Sequence, residues 1–367
     1  MPFQVVIVPD KFKGTLTASA AAAAIAHGWR KVRPNDALNL LPMSDGGDGF
    51  GEVMARLLNA HVQRTVTVDA ADRRSTVRWW WQPQTRTAIL ESAEVIGLAQ
   101  HPGRHPYELD SFGLGAVLRA ARRKGAKRCL VGVGGTATVD GGFGVARALG
   151  WKFLDANRQA ITSWTKLDSL EELRPPARKL PLTEIIVAVD VSNPLLGPQG
   201  CARVYGPQKG LTEFDVTDRC LGRLAAVARR QFRRDYASRP GAGAAGGLGF
   251  GFECFLGASL RPGYEFFART AQLPRRLRRA NLVITGEGAI DRSTFMGKGV
   301  GQIARACREQ KIPCIGLAGT LKEPVIAKKK FTVSRGLLEL ASLRQARKQP
   351  ALWLERLTAK VAREWAG

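Results

Sequence analysis

Val5-Val6-Ile7-Val8, running straight into Pro9-Asp10-Lys11-Phe12-Lys13-Gly14, is the stretch whose reading decides the fold. A continuous apolar run of this length reads as a buried strand of a largely parallel sheet. The same order of events recurs along the chain. Ala37-Leu38-Asn39-Leu40-Leu41 leads to Ser44-Asp45-Gly46-Gly47-Asp48-Gly49, and Cys129-Leu130-Val131 to Gly134-Gly135-Thr136-Ala137-Thr138-Val139-Asp140-Gly141-Gly142. Ile185-Ile186-Val187-Ala188-Val189 ends at Asp190, and Leu282-Val283-Ile284 runs into Gly286-Glu287-Gly288-Ala289-Ile290-Asp291. In open α/β sheets ligands sit beyond the carboxyl ends of the strands. The acids therefore gather where a ligand would be, beside glycines that let backbone N–H groups approach phosphate. That pattern points to phosphoryl transfer on a metal–nucleotide complex.

Composition sets the limits. The 367 residues suffice for two domains with separate cores, and 45% hydrophobic with 24% charged residues is ordinary for a folded chain. The formal charge of +25 is not ordinary; 56 Lys and Arg stand against 31 acids, spread along the chain. Such a field attracts nucleotides, phosphorylated metabolites or nucleic acid, or is simply a solvated basic surface. Six cysteines, without a C-x-x-C pair, read as reduced and mostly buried in a cytoplasmic setting. No basic leader precedes the first strand and no apolar run reaches membrane-spanning length, so a cytoplasmic protein without membrane contact is expected.

Along the chain, strands are predicted at 4–8 and 37–41, with helices at 17–31 and 50–59. Short antiparallel strands over 62–95 follow, one of them holding Trp79-Trp80-Trp81, which reads as a strand packed on both faces or at an interface rather than a nucleic-acid stacking platform. Helices at 112–124 and 143–149 flank a strand at 128–133. A linker-like stretch at 156–182 precedes the strand at 185–189 and a helix at 216–232. After Ala280 the β-α-β alternation returns: strands at 282–285, 313–318 and 331–334, helices at 299–310 and 350–366. The expected fold is α/β: a flavodoxin-like doubly wound domain formed by residues 1–61 and 278–367, with a second mixed α/β domain, 62–277, inserted.

A Walker A loop is excluded, because Gly297-Lys298-Gly299 lacks the first glycine and the hydroxyl. Gly241-x-Gly243-x-x-Gly246 matches the dinucleotide string, but no strand precedes it. It reads as a glycine-rich helix start approaching phosphate or a facing domain, or as helix packing. The four histidines lack zinc spacing, and His101 and His105 are expected to be exposed. Magnesium prefers a few carboxylates plus phosphate oxygens, and Asp10, Asp45, Asp140, Asp190, Glu287 and Asp291 offer that type of ligand. A single loop acid is more often a cap or turn residue; six in this position point to chemistry. Lys13, Lys209 and Lys298 lie in comparable loops and would neutralise transferring phosphate.

Pro9 to Leu16, Ser44 to Gly49, Gly134 to Gly142, Asp190-Val191-Ser192-Asn193-Pro194-Leu195, Gly206-Pro207-Gln208-Lys209-Gly210, Pro240 to Gly249, and Ile284 to Asp291 with Gly297-Lys298 resemble, in order and over nearly the whole chain, the glycerate kinase type 1 family. The resemblance implies ATP-dependent phosphorylation of D-glycerate, with a flavodoxin-like domain, an inserted second domain and the active site in the cleft between them. Departures are Lys11 for serine, Val139 for asparagine, Ala289 for arginine, Ser293 for glutamine and Gly299 for proline, the last three around one loop.

The expected site follows. Asp45, Asp190 and Glu287 would hold Mg²⁺ bridging the phosphates of ATP. Asp10, Ser44, Gly46, Gly47, Gly134, Gly135, Thr136, Asp140, Gly141, Asn193, Gly243, Gly246 and Glu287 would bind substrate or nucleotide, with backbone N–H groups of the Gly46-Gly47 and Gly134-Gly135 loops cradling phosphate. Lys13, Lys209 and Lys298 would offset charge, and Asp190 would accept the glycerate hydroxyl proton, with Asp45 and Asp291 as the other candidate bases. The expected partners are small molecules and the expected assembly a monomer or homodimer. A kinase of another small hydroxy acid, or a basic nucleic-acid-binding protein on a former kinase fold, are the other readings. Carboxylates at the strand ends argue against the latter because they repel a phosphodiester backbone.

Overall fold

In the computed structural model, residues 2–12, 14–297 and 299–366 are described. The chain divides into two compact units, Met1–Asp45 with Tyr264–Gly367, and Gly46–Gly263. Both are α/β. The first holds a five-stranded, wholly parallel sheet in the order Val333–Gly336, Cys314–Leu321, Leu282–Ile290, Gln4–Ile7, Ala37–Leu40. The two ends of the chain meet in its middle, where Val5 pairs with Leu282 and Ile7 with Ile284.

One face of this sheet is covered by the helix Ala18–Arg30, capped by the Thr17 hydroxyl, and by Pro350–Ala366. The alanine run permits an unusually close helix crossing. A Cβ on Gly28 would stand 2.2 Å from the Glu355 carbonyl oxygen, so only glycine fits. Trp29, fully buried, donates from Nε1 to Asp36 Oδ2 at 3.0 Å, and Asp36 also accepts from the Phe3 N–H and the Arg33 guanidinium. These contacts tie the helix to the start of the first strand.

The second unit carries a six-stranded mixed sheet, in the order Ser259–Pro262, Glu184–Val189, Arg128–Gly132, Thr87–Glu91, Arg74–Gln82, His61–Val68. The first four run parallel; the last two complete an antiparallel meander. Trp79, Trp80 and Trp81 alternate across this sheet and are at most 9% exposed, so both faces are covered and no stacking platform exists. The helix Phe50–Leu58 lies in this unit. Gly51 sits so close beneath Trp80 that a Cβ there would be 1.9 Å from its ring, and this contact moves the dividing line from the expected 61/62 to 45/46. At the other boundary the line falls at 263/264 instead of 277/278; Arg276 donates to Asn39 of the first unit at 3.1 Å.

Three expectations are corrected by packing. The stretch at 156–182 is no linker. Its Glu172–Arg174 pairs with Lys152–Leu154, and Trp164, Leu167, Leu170 and Leu173 are buried in a second core of this unit, against the helix Phe214–Phe232. His101 is 3% exposed, not exposed, with Nδ1 3.2 Å from the Arg73 guanidinium. The strand at 282–285 continues to Ile290, paired with Cys314–Leu321, which places Glu287 within a strand opposite Ala318.

Candidate active site

In the first unit, strand pairing brings three acids together. The Asp10 N–H donates to the Gly286 carbonyl at 2.9 Å, and the Met43 N–H to the Pro9 carbonyl at 2.9 Å. These bonds bind the loop after the first strand to Glu287 on one side and to the Ser44-Asp45 loop on the other. A side chain on Gly286 would reach within 2.3 Å of the Leu317 carbonyl, so the glycine is what lets the strands close up here. Burial first, then the negative charge of Asp45 and, more weakly, Glu287, push the Asp10 carboxyl up to about 8; the Lys11 N–H, which donates to Asp10 Oδ1 at 2.7 Å, and the Lys11 ammonium oppose the rise. Asp291 does different work. Its carboxylate accepts from the Ser293 N–H at 2.9 Å and the Ser293 hydroxyl at 2.5 Å, capping the turn Arg292–Phe295. Lys13 and Lys298 lie outside the described residues.

In the second unit the two glycine loops pack backbone on backbone. The Gly134 N–H donates to the Gly46 carbonyl at 3.0 Å, so it holds the loops together and is not available to cradle phosphate. A Cβ on Gly46 would meet the Ala188 carbonyl at 2.6 Å, and one on Gly135, at φ 76°, would lie 1.6 Å from Asp48 Oδ1. Glu91, absent from the expected site, fixes the same loop from below, accepting from the N–H groups of Gly49 at 2.8 Å and Gly51 at 3.0 Å. Burial raises its pKa against the lowering of those two bonds. Its signal was in the sequence: Ala88-Ile89-Leu90-Glu91 is another apolar run ended by an acid.

Asp140 is fully buried and saturated. It accepts from the Ser111 N–H and hydroxyl at 2.9 and 2.7 Å, and from the N–H groups of Gly144 at 2.9 Å and Gly142 at 3.2 Å. It organises the loop and the start of the helix Phe143–Ala148. Ser111 was not legible, since no local pattern joins it to a residue 29 positions away. Next to it, burial and the Asp140 charge push the Asp110 carboxyl up to about 6.

Lys209 is 6% exposed and reaches up beneath the same loop, donating to the Thr138 carbonyl at 2.7 Å and toward Thr136 Oγ1 at 3.4 Å. Desolvation lowers its pKa to about 8. Gly243 and Gly246 lie against backbone, where Cβ atoms would come within 2.2 Å of the Pro194 carbonyl and 2.0 Å of the Thr138 carbonyl. The Gly141 N–H donates to the Gly246 carbonyl at 3.1 Å. The glycine-rich stretch therefore serves packing. Asp190 stands exposed immediately after the strand Glu184–Val189. Beside it Asn193 accepts from the Tyr205 hydroxyl at 2.6 Å and donates to the Gln199 carbonyl at 2.8 Å. Burial, then the Asp190 charge, raises the Tyr205 pKa to about 12.

Among the described residues no set of three or more His, Cys, Asp or Glu side chains is arranged to hold a metal unaided. The acids of the first unit still suit a hard cation in kind. A carboxyl driven up by burial and two neighbouring carboxylates is relieved by a divalent ion, and Mg²⁺ takes only one or two protein carboxylates beside water and phosphate oxygens.

Acids at parallel strand ends, close-packed glycine loops and a buried lysine are the equipment of a kinase acting on a small molecule. The chain belongs to the glycerate kinase family, whose profile matches residues 5–366. It is 37% identical to a glycerate kinase of Halalkalibacterium halodurans over 86% of this chain and 85% of that one. It is 35% identical to the glycerate 2-kinase of Escherichia coli K12, over 88% and 86%. A crystal structure ascribed to glycerate kinase 2 of Salmonella typhimurium LT2 superposes with a TM-score of 0.83 at 31% identity, covering 100% of this chain and 99% of that one. No helix among the described residues is long and apolar enough to cross a membrane.

Proposed function

We propose that the protein transfers the γ-phosphoryl group of ATP to D-glycerate, giving phosphoglycerate. The observation that carries this reading is the gathering of Asp10 and Asp45, in the loops after their strands, with Glu287, in the strand Leu282–Ile290, in a chain belonging to the glycerate kinase family. The strand order, with the reversal beside Gln4–Ile7, supports a flavodoxin-like domain built from both chain ends with the middle of the chain inserted.

Asp45 and Glu287 would hold magnesium, which when bound neutralises charge on the phosphates. The chain's own contribution is positioning. Gly46 and Gly47 present backbone toward the phosphates from a loop that Glu91 and Gly134 hold still. Lys209 acts through the Thr136–Thr138 loop it supports, while Lys13 and Lys298 offset phosphate charge. Asp190, exposed at a strand end, accepts the proton of the attacking hydroxyl. The protein is proposed to work in the cytoplasm as a monomer or homodimer.

ATP consumption with D-glycerate and a panel of small hydroxy acids, with ³¹P NMR of the product, tests the proposal. Turnover should be highest with D-glycerate, and the position of the new phosphorus signal identifies the hydroxyl used. Equal or better turnover with another hydroxy acid would transfer the activity to that acceptor, and no ATP consumption with any of them would overturn the reading.

A further inference from the structure

Away from the acids, the first unit carries a small pocket of about 90 Å³ beside the helix Gly299–Glu309. Phe295 and Gly297 form part of its wall, and Gln302, Arg305, Arg308 and Lys330 supply its polar groups. Its lining includes three cations and no carboxylate. The volume is well above that needed by one water.

These cations are not neutralised in place. Among the described residues no carboxylate pairs with Arg308 or Lys330. Arg305 has only a long contact, 3.8 Å, with Glu309, both side chains being more than 60% exposed, which is worth little. The wall is otherwise ordered. Arg305 donates to Gln302 Oε1, Gln302 donates to the Gly297 carbonyl at 3.4 Å, and Phe295 rests on the buried ring of Phe331 with centroids 6.0 Å apart. Arg308 and Lys330 each lie in the last turn of a helix, where a cation is favoured by the dipole. That accounts for each alone, but not for their convergence with Arg305 on one concavity.

We propose that this pocket is a binding site for a small tetrahedral oxyanion, inorganic phosphate or the phosphate of a phosphorylated metabolite. Two guanidinium forks and an ammonium match the oxygens of such a group, with Arg supplying paired N–H donors and Lys a point charge. Binding relieves the mutual repulsion of three like charges. None of Asp10, Asp45 and Glu287 lines the pocket, and the proposal does not depend on the reading of them.

The test is calorimetric titration of the full chain with inorganic phosphate at constant ionic strength, with chloride as control, in the presence of saturating ADP. The wild type should show one saturable phosphate site. The double variant Arg308→Gln, Lys330→Gln should weaken it by at least about tenfold, since two charge-assisted contacts are lost. Glycerate phosphorylation without added phosphate should be unchanged in the variant. A parallel titration with glycerol 3-phosphate, a phosphate monoester that is neither substrate nor product of the proposed reaction, separates the sources: tighter binding than phosphate identifies a phosphorylated metabolite, equal binding the free ion. No saturable binding beyond chloride, or equal affinity in wild type and double variant, would overturn the proposal. So would a variant whose only change is a lower Tm without phosphate, which would reduce both residues to dipole partners. Should the double variant fail to fold, Lys330→Gln alone gives the same readout at smaller amplitude.

Discussion

Asp190 and Lys209 occupy neighbouring loops and differ in almost every physical respect. Asp190 is exposed at a strand end and makes no burial-driven contribution to the fold. Asp190→Asn keeps shape and removes charge, so Tm should stay within a degree or two, ATP affinity should hold, and kcat should fall by roughly 10²–10⁴. Recovery of the rate at high Mg²⁺ would instead make it a metal ligand. Lys209 is buried and its folded pKa, about 8, lies below the ordinary 10.5. Between those values the unfolded chain binds more protons than the folded one, so stability should rise with pH across that window. In Lys209→Met the rise should vanish, which chemical denaturation at pH 8 and pH 10 would detect; an unchanged slope would refute the burial argument.

At the scale of elements, Gly28 marks where two helices nearly touch. With a Cβ 2.2 Å from backbone, Gly28→Ala must push Pro350–Ala366 outward, at a cost of about 1–3 kcal/mol visible as a lower urea midpoint. A variant as stable as the wild type would mean that the crossing has slack. The elements were the most legible part of the sequence. Val5 to Val8, Ile185 to Val189 and Leu282 to Ile284 declared themselves by unbroken apolarity, and Thr17 marked a helix start. What local pattern could not show was where long-range contacts override appearance. Polar, proline-bearing 156–182 looked like a linker because its buried residues, Trp164, Leu167, Leu170 and Leu173, sit in turns and short strands without sustained period. The strand through Glu287 looked like a loop because its glycines, needed for close approach to Leu317, imitate one. Within the candidate site the acids were legible as a class, but not their division of labour. The bonds that Asp140 accepts from Ser111 and Asp291 from Ser293 became visible only in the structure.

For the whole molecule, the +25 charge should act as a field. If it steers anionic substrates, kcat/KM for glycerate should fall as salt rises from low to physiological ionic strength, while kcat stays nearly level. A flat profile would leave the charge as solvated surface. The chain's connectivity gives a second expectation. Removing 278–367 takes three of five strands from the first unit and leaves Gln4–Ile7 without its partner Leu282–Ile290. The truncated protein should be insoluble or lack a cooperative transition for that unit; a cooperative 1–277 fragment with a full near-ultraviolet signal would contradict the sheet order.

That same pairing sets a timetable for birth on the ribosome. Gln4–Ile7 and its neighbour Ala37–Leu40 emerge well ahead of the strand on the other flank, which arrives only with Leu282. At ordinary synthesis rates of about 5–20 residues per second, the opening strand waits roughly 14–55 s, its apolar edge open to chaperones and to other nascent chains. The middle of the chain has all of its own strands by Pro262 and can fold meanwhile. A circular permutant that begins at Tyr264 and joins the natural ends would deliver the whole parallel sheet in one uninterrupted stretch, and should be less dependent on chaperones for its yield.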